Sequence, residues 1–233
     1  MTSPQIVDGV IEWFRDPAHW TGSDGVPHRL LEHSLLTLVA LLAAMVVGLP
    51  LAIWLGHVRR FGTLAVNVSN VGRAIPIVAL LSLLALGFVG SGDFGPFGRA
   101  GLATLITLAL FAFPPIITNA YVAVSGVDDD LLEAARGMGM DEMQVLRRVE
   151  LPVALPLIIS GVRLAVVQVW ATATVAALVA GPGLGRIITH GYDSNKPAEV
   201  IAGSLIVALI ALALEGLMAF LQRTLDPLPA GSR

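Results

Sequence analysis

The sequence contains no cysteine, which excludes disulfide bonds, thiolate metal sites and a thiol nucleophile. Charged residues are also scarce, at 13% of 233 residues, whereas a soluble domain carries roughly 25%. With 14 basic and 17 acidic residues the net charge is -3, so the chain lacks the basic surface that binds nucleic acid. Hydrophobic residues make up 55% of the chain and the mean hydropathy is +0.80. This composition predicts a protein solvated by a lipid bilayer.

Sequence patterns for chemistry are missing as well. The chain has no Walker A sequence, so it lacks the usual motif for binding the phosphates of ATP. The five histidines lie near predicted membrane edges, and none has a partner at metal-ligand spacing. We therefore expect no catalytic residue, no metal site and no cofactor bound by this chain. These absences disfavour a membrane-embedded enzyme.

Five long apolar stretches dominate the sequence. Each reaches the roughly 20 residues that an α-helix needs to cross a hydrocarbon core of about 30 Å. None alternates between apolar and polar residues as a barrel strand does, and backbone groups in lipid must be satisfied internally, so helices are expected. The sequence thus predicts an all-α integral membrane protein with about five transmembrane helices, at residues 34–56, 74–92, 100–127, 151–180 and 200–222. Five prolines are expected inside these helices, with local kinks: Pro50, Pro76, Pro114, Pro115 and Pro156.

The flanking segments complete a multi-pass topology. Residues 1–29 are expected to be extracytoplasmic, with apolar residues at helical spacing between Ile6 and Phe14 that favour either an interfacial amphipathic helix or a frayed terminus. Residues 30–225 form the membrane domain, and residues 226–233 form a cytoplasmic tail. The pairs Arg59-Arg60 and Arg147-Arg148 fall on one side, which the positive-inside rule places in the cytoplasm. The N-terminus is then outside the cell.

Residues 125–152 form the longest polar loop between spans and carry the densest charge. Asp130 followed by Glu133 is a capping-box pattern, which predicts a helix that starts at Leu131. Gly137 or Gly139 can end this helix in a left-handed conformation. Asp141 can then cap a second short helix that runs to residue 149, before Pro152 restricts the chain. The loop is predicted to be two short helices at an angle.

The same loop resembles the EAA loop of ABC-importer permeases, the MetI-like transmembrane subunits. The resemblance is carried by residues at the family's spacing: Glu133, Ala134, Ala135, Gly139, Val149 (often Ile in the family), Leu151 and Pro152. It implies the type I importer permease fold and a cytoplasmic coupling helix that docks into a groove on an ABC ATPase. By this resemblance Glu133 contacts the ATPase, the two alanines pack in the groove and Gly139 permits the bend. Glu133 as a mere cap and Gly139 as a mere helix stop are compatible with those roles.

Fainter signatures resemble permeases that import compatible solutes such as glycine betaine, choline, carnitine or proline. They are residues 75–76, 161–163, 171–177 and 181–185, with Pro182 where the family usually has a small residue. The resemblance implies a cell-membrane complex with two ABC ATPases that bind ATP and Mg²⁺. It further implies a second permease chain, identical or paralogous, and an extracytoplasmic solute-binding protein. Aromatic residues make up only 6% of the chain, so high-affinity capture of the solute is expected in that binding protein.

Two charges lie deep in apolar sequence, Arg163 in the fourth predicted span and Glu215 in the fifth. Because a charge near the membrane centre costs at least about 2.5 kcal/mol, each is expected to have a partner. Counting 1.5 Å per residue places the two at similar depth, so they can pair with one another or, with Gln168, face a translocation path. An alternative function is a secondary transporter driven by an ion gradient, with this pair as the coupling site. No convincing inverted repeat supports that alternative.

Overall fold

A computed structural model describes residues 3–59, 67, 74–87, 89, 90, 92, 95–98 and 100–225. Throughout these residues the regular structure is helical and contains no strand, as the long apolar stretches without alternation predict. The α-helices in this part of the chain are α1 (Ser3–Arg15), α2 (Val26–Val58), α3 (Ile77–Leu86), α4 (Gly101–Ser125), α5 (Asp129–Gly137), α6 (Glu142–Val145), α7 (Leu151–Ala173), α8 (Gly185–Asp193) and α9 (Pro197–Leu225). Residues 226–233, predicted as a cytoplasmic tail, lie outside the described residues.

Four helical segments of the described chain are long and apolar enough to cross a membrane. They are α2, α4, the run Glu142–Val179 that contains α6 and α7, and residues Pro197–Thr224 of α9. Four of the five predicted spans are thereby confirmed as long helices. Pro50, Pro114, Pro115 and Pro156 lie inside them, as expected.

The second predicted span, residues 74–92, is wrong in its length. Helix α3 covers only ten residues, about 15 Å at 1.5 Å per residue. Pro76 was predicted inside the helix but is its N-cap, with an extended ψ of 118°. At the other end the Gly87 N–H donates to the Leu83 carbonyl, and glycines recur at positions 90 and 92. The glycine-rich sequence after Leu86 favours non-helical backbone, so a uniformly apolar stretch yields a short helix.

The chain folds into two compact units, and the first comprises Met1–Leu41, Ile75–Ala109 and Val167–Leu214. Its core is built around two tryptophans, with Trp170 Nε1 donating to the Val207 carbonyl at 3.2 Å. Helix α1 confirms the predicted N-terminal helix. Its Trp13 is only 8% exposed and stacks on His19, with ring centroids 4.3 Å apart, so Trp13 is a core residue.

The second unit comprises Leu42–Ala74, Leu110–Val166 and Glu215–Arg233. Small side chains fill its core, so that α2, α4 and α7 approach closely, as is typical of membrane helices. A β carbon added at Gly161 would lie 2.6 Å from the Asn119 β carbon, and one at Gly56 would lie 2.8 Å from the Val124 β carbon. The buried core residues are Ala52, Ala120, Ala123, Val124, Ala154 and Ile158.

Helix α8 was not anticipated from the sequence. After α7 the chain continues as a 3-10 helix (Thr174–Val179) and turns at Ala180, whose φ is 59°. The predicted turn at residues 181–185 is present, and α8 follows it directly. Helix α8 has nine residues and only modest apolar content, so no long hydrophobic run marks it.

Candidate functional site

The first helix of the polar loop, α5, begins two residues earlier than predicted. Its N-cap is Asp128, whose carboxylate accepts a hydrogen bond from the Asp130 backbone N–H at 2.9 Å, so the assignment of Asp130 as the cap is wrong. Three consecutive aspartates can each act as a cap. The choice between them depends on packing, because Val127 just before the cap lies in one buried cluster with Leu132 in the first turns of the helix. This arrangement matches a hydrophobic staple.

A sharp turn joins α5 to α6. Of the two glycines predicted for the left-handed conformation, Gly139 adopts it, with a φ of 85°, and no atom lies near its missing β carbon. Asp141 caps α6 with a complete capping box, its carboxylate accepting from the Gln144 N–H at 2.8 Å while the Gln144 side chain accepts from the Asp141 N–H at 3.1 Å. Arg136 bridges the turn by donating from Nε to Glu142 at 2.9 Å, and this contact raises the Arg136 pKa.

The second loop helix does not stop at residue 149 as predicted. From Glu142 the chain stays helical through a π-helix (Leu146–Glu150) and into α7. Pro152 occupies the second position of α7, just after the π-helix. The wider π turn directly precedes the proline, which has no N–H to continue an α-helical ladder. The membrane helix is therefore a direct continuation of the loop.

The exposure of the motif residues corrects one further expectation. Glu133, Ala134 and Gly139 are exposed, but Ala135 is 2% exposed and packs inside the loop's own core with Val145. The two alanines therefore cannot both pack against a partner. The last two motif residues differ, with Leu151 half-buried and Pro152 exposed.

Two exposed methionines were missed by the sequence reading. Met138 is 72% exposed and Met143 is 53% exposed, although they belong to a densely charged loop. Flexible, polarisable methionine side chains are common at surfaces that bind other proteins. For Met138, the available signal in the sequence was an apolar residue directly before the turn glycine, Gly139.

A buried carboxylate lies at the end of the π-helix. Glu150 is 1% exposed, and its Oε2 accepts a hydrogen bond from His57 Nδ1 at 2.5 Å. His57 belongs to the last turn of α2. The sequence places both residues near a membrane edge, but 93 positions separate them, so their contact could not be read from spacing.

Arg163 and Glu215 form an ion pair within the second unit, Arg163 Nε donating to Glu215 Oε1 at 3.0 Å. Arg163 also donates from Nη1 to Gln222 Oε1 at 3.0 Å, a partner that the sequence reading missed. The Gln222 amide nitrogen in turn donates to the Pro156 carbonyl at 3.5 Å. Gln168 belongs to the other unit, where its carbonyl accepts from the Thr172 hydroxyl at 2.6 Å.

In the first unit, the turn before α8 is fixed by polar contacts. The Gly183 N–H donates to Glu32 Oε2 at 3.0 Å, and Gly183 has a φ of 105°. Arg186 donates to the carbonyls of residues 180 and 181. A cavity of about 380 Å³ opens beside it and is lined by Trp13, Ala18, His19, Asp24, Val26, Arg29, Arg186, Ile187, His190, Lys196 and Glu199. Within the described part of the chain no cluster of His, Asp or Glu could hold a metal ion.

Long apolar helices joined by a capped, exposed helical turn are the architecture of a multi-pass membrane protein. The sequence profile of one family, the inner membrane component of binding-protein-dependent transport systems, matches residues 44–229. The chain belongs to this family and is a protein of the cell membrane.

Relatives and a solved structure agree with this assignment. The chain is 30% identical to the carnitine transport permease protein OpuCD of Listeria monocytogenes over 89% of both chains. It is 34% identical to the choline transport system permease protein OpuBD of Bacillus subtilis, over 84% of this chain and 83% of that protein. A chain of the MetNI methionine ABC transporter, solved in inward-facing conformations, has the same fold, with a TM-score of 0.70, 20% identity and coverage of 97% of this chain and 99% of that chain. The predicted type I importer permease fold is thereby confirmed.

Proposed function

We propose that this chain is the permease subunit of an ABC importer that brings a compatible solute into the cell. Two cytoplasmic ATPases bind ATP and Mg²⁺ and supply the energy, and the chain itself is not an enzyme. The observation that carries the proposal is the exposed turn of the polar loop, which presents Glu133, Ala134 and Gly139 at the spacing of the EAA motif.

The loop of residues 125–152 is the docking element for the ATPase in this proposal. Its own buried core, the Asp141 capping box and the Arg136–Glu142 contact make it a stiff unit. A stiff element transmits the movement of its partner, because it does not deform when the partner moves. Met138 supplies exposed apolar contact area, Glu133 supplies a charge for the ATPase surface, and Leu151 and Pro152 join the loop to the membrane helix.

The solute class follows from the names of the relatives. Carnitine and choline both carry a trimethylammonium group, and the two relatives are named for their transport. We infer that the solute is a quaternary amine such as glycine betaine, choline or carnitine, or the related zwitterion proline. The high-affinity site belongs to a separate solute-binding protein outside the cell.

The complete importer contains a second permease chain, identical or paralogous, with the path between the two. In this arrangement the N-terminus faces outside, the loop of residues 125–152 and the C-terminus face the cytoplasm, and the binding protein docks on the outer loops. Arg163 and Glu215 stabilise the packing of α7 and α9 or border the path. Alternating access then follows from rigid-body motion of the two permease chains.

The first experiment is to extract the chain gently from its native membrane and identify the co-purifying proteins by mass spectrometry. We expect a stoichiometric Walker-motif ATPase that is lost in the Glu133→Arg variant while the permease stays in the membrane. Glu12 is exposed and lies far from Glu133 in the sequence, so Glu12→Arg is the matched control and should keep the ATPase. Uptake of labelled glycine betaine, choline, carnitine and proline then identifies the solute.

The opposite outcome has a clear meaning. If the chain purifies without an ATPase and still moves solute under an ion gradient, the importer proposal is wrong. The secondary-transporter alternative then replaces it.

A further inference from the structure

The C-terminal end of α2 holds the polar loop at two places. At the first place, Arg59 pairs with the side chain of Asp129 and donates from Nη2 to the Val127 carbonyl at 2.5 Å. This contact fixes the beginning of α5. It lies beside the cap of the helix that carries Glu133.

At the second place, His57 contacts the junction between α6 and α7. Its Nδ1 donates to Glu150 Oε2 at 2.5 Å, and its Nε2 lies 3.8 Å from Glu142 Oε2. Glu142 in turn accepts from Arg136 at the end of α5. A continuous series of polar contacts therefore connects the end of α5, through α6, to α2.

The strongest contact in this series is at its buried end, between His57 and Glu150. Glu150 is 1% exposed, and His57 is its hydrogen-bond partner among the described contacts. A buried carboxylate that loses its partner is strongly unfavourable, so Glu150 and His57 stay together when the loop is displaced. Arg136 and Glu142, by contrast, are exposed, so their ion pair adds little to the free energy of folding.

The π-helix that ends at Glu150 is a second, independent sign of function at this point. Residues Leu146–Glu150 add an extra residue per turn to the helical run between α6 and α7. Such π segments are rare and are frequently found at functional sites. Here the segment places the carboxylate at its end against the last turn of α2.

We propose that His57 and Glu150 are positioning residues that transmit displacement of the loop to α2 during transport. This inference rests on the proposed docking of the ATPase at the loop. Without the pair, the ATPase still binds at Glu133, but its movement reaches α2 only through the Arg59 contact at the start of α5. Hydrolysis then continues with less solute moved.

The test uses the complete transporter, with its ATPases and binding protein, reconstituted in proteoliposomes. His57→Ala is expected to lower the solute moved per ATP hydrolysed by about tenfold, the scale of a typical coupling between sites. The ATPase should remain bound in stoichiometric amount. Glu150→Gln, whose amide oxygen can still accept from His57, should keep most of the coupling.

Two further variants separate coupling from folding. His28→Ala removes a half-exposed histidine whose Nε2 lies 3.5 Å from Glu32 Oε1, and serves as the matched control with normal coupling. Arg136→Ala removes the exposed end of this series of polar contacts and leaves its buried groups in place. The variant should therefore fold normally and show a partial loss of coupling. In the double variant His57→Ala/Glu150→Ala, the loss of coupling should be far smaller than the sum of the losses in the two single variants. Each substitution removes the same contact.

The outcomes are distinguishable. If His57→Ala lowers thermal stability but neither His57→Ala nor Arg136→Ala changes the solute moved per ATP, the pair is merely structural and the inference is wrong. If the ATPase stays bound in Glu133→Arg, the loop is not its docking site and the proposed function of the loop fails as well. Loss of the ATPase in Glu133→Arg with normal coupling in His57→Ala overturns this inference alone.

Discussion

Arg163 and Glu215 are 52 positions apart in the sequence and directly paired in the fold, with Arg163 Nε 3.0 Å from Glu215 Oε1. Both belong to helices that are long and apolar enough to span a membrane. Equal depth, estimated from the helix rise alone, suggested the partnership. The structure adds Gln222, which accepts a further hydrogen bond from the same guanidinium.

Exchanging the two charges tests what this pair does. Arg163→Glu and Glu215→Arg alone each place two like charges together in apolar surroundings, and each should sharply lower the yield of folded transporter. The double exchange should restore the yield, measured by size-exclusion chromatography. A double variant that folds no better than the single ones contradicts a structural pair, and one that folds but does not transport points to the translocation path.

Gly139 is predicted to be essential for the turn of the loop. Gly139→Ala meets no neighbouring atom but must adopt a φ of 85°, which costs about 1–2 kcal/mol for a residue with a β carbon. Gly139→Pro cannot adopt this angle at all, so solute uptake should be abolished while the chain remains inserted in the membrane. Gly137→Ala, an exposed helical glycine with open space, is the control and should transport normally. Normal uptake by Gly139→Pro contradicts the role of the turn.

Asp128, and not Asp130, should matter as the cap of α5. Asp128→Ala is expected to destabilise the helix by about 1 kcal/mol, since it removes the acceptor for the Asp130 N–H. Asp130→Ala removes only a favourable charge in the first turn, which is worth less at an exposed position. Amide hydrogen exchange across residues 129–137 measures the difference. Equal protection in the two variants shows that the cap is not at Asp128.

Gly161 is predicted to set the contact between α4 and α7. Gly161→Val should lower the melting temperature markedly, because even a β carbon would lie 2.6 Å from Asn119 and 2.9 Å from the Pro115 carbonyl. Gly216→Ala, in α9 with no atom within 4 Å, is the matched control. It should be neutral or stabilising by about 0.5–1 kcal/mol, since glycine is the poorer helix former. A tolerated Gly161→Val shows that the helices can separate without loss.

The sequence reading succeeded where a local pattern is sufficient. The cap at Asp141, the left-handed glycine that follows α5 and the four long helices each depend on residues that are close in sequence. It failed where equivalent residues compete, as with the three aspartates before α5, because packing of Val127 decides between them. It failed again at α3, where hydropathy over residues 74–92 did not register the glycines that end the helix.

By itself, the sequence determined that this chain is a helical membrane protein and that its polar loop carries an EAA-like motif. Hydropathy and motif spacing are properties of neighbouring residues, so no fold is needed to read them. Only the tertiary structure decided that Ala135 faces inward, that Gln222 joins the Arg163–Glu215 pair and that His57 holds the buried Glu150. Each of these depends on which helix faces lie against one another. That choice is made by the packing of small side chains between helices distant in sequence.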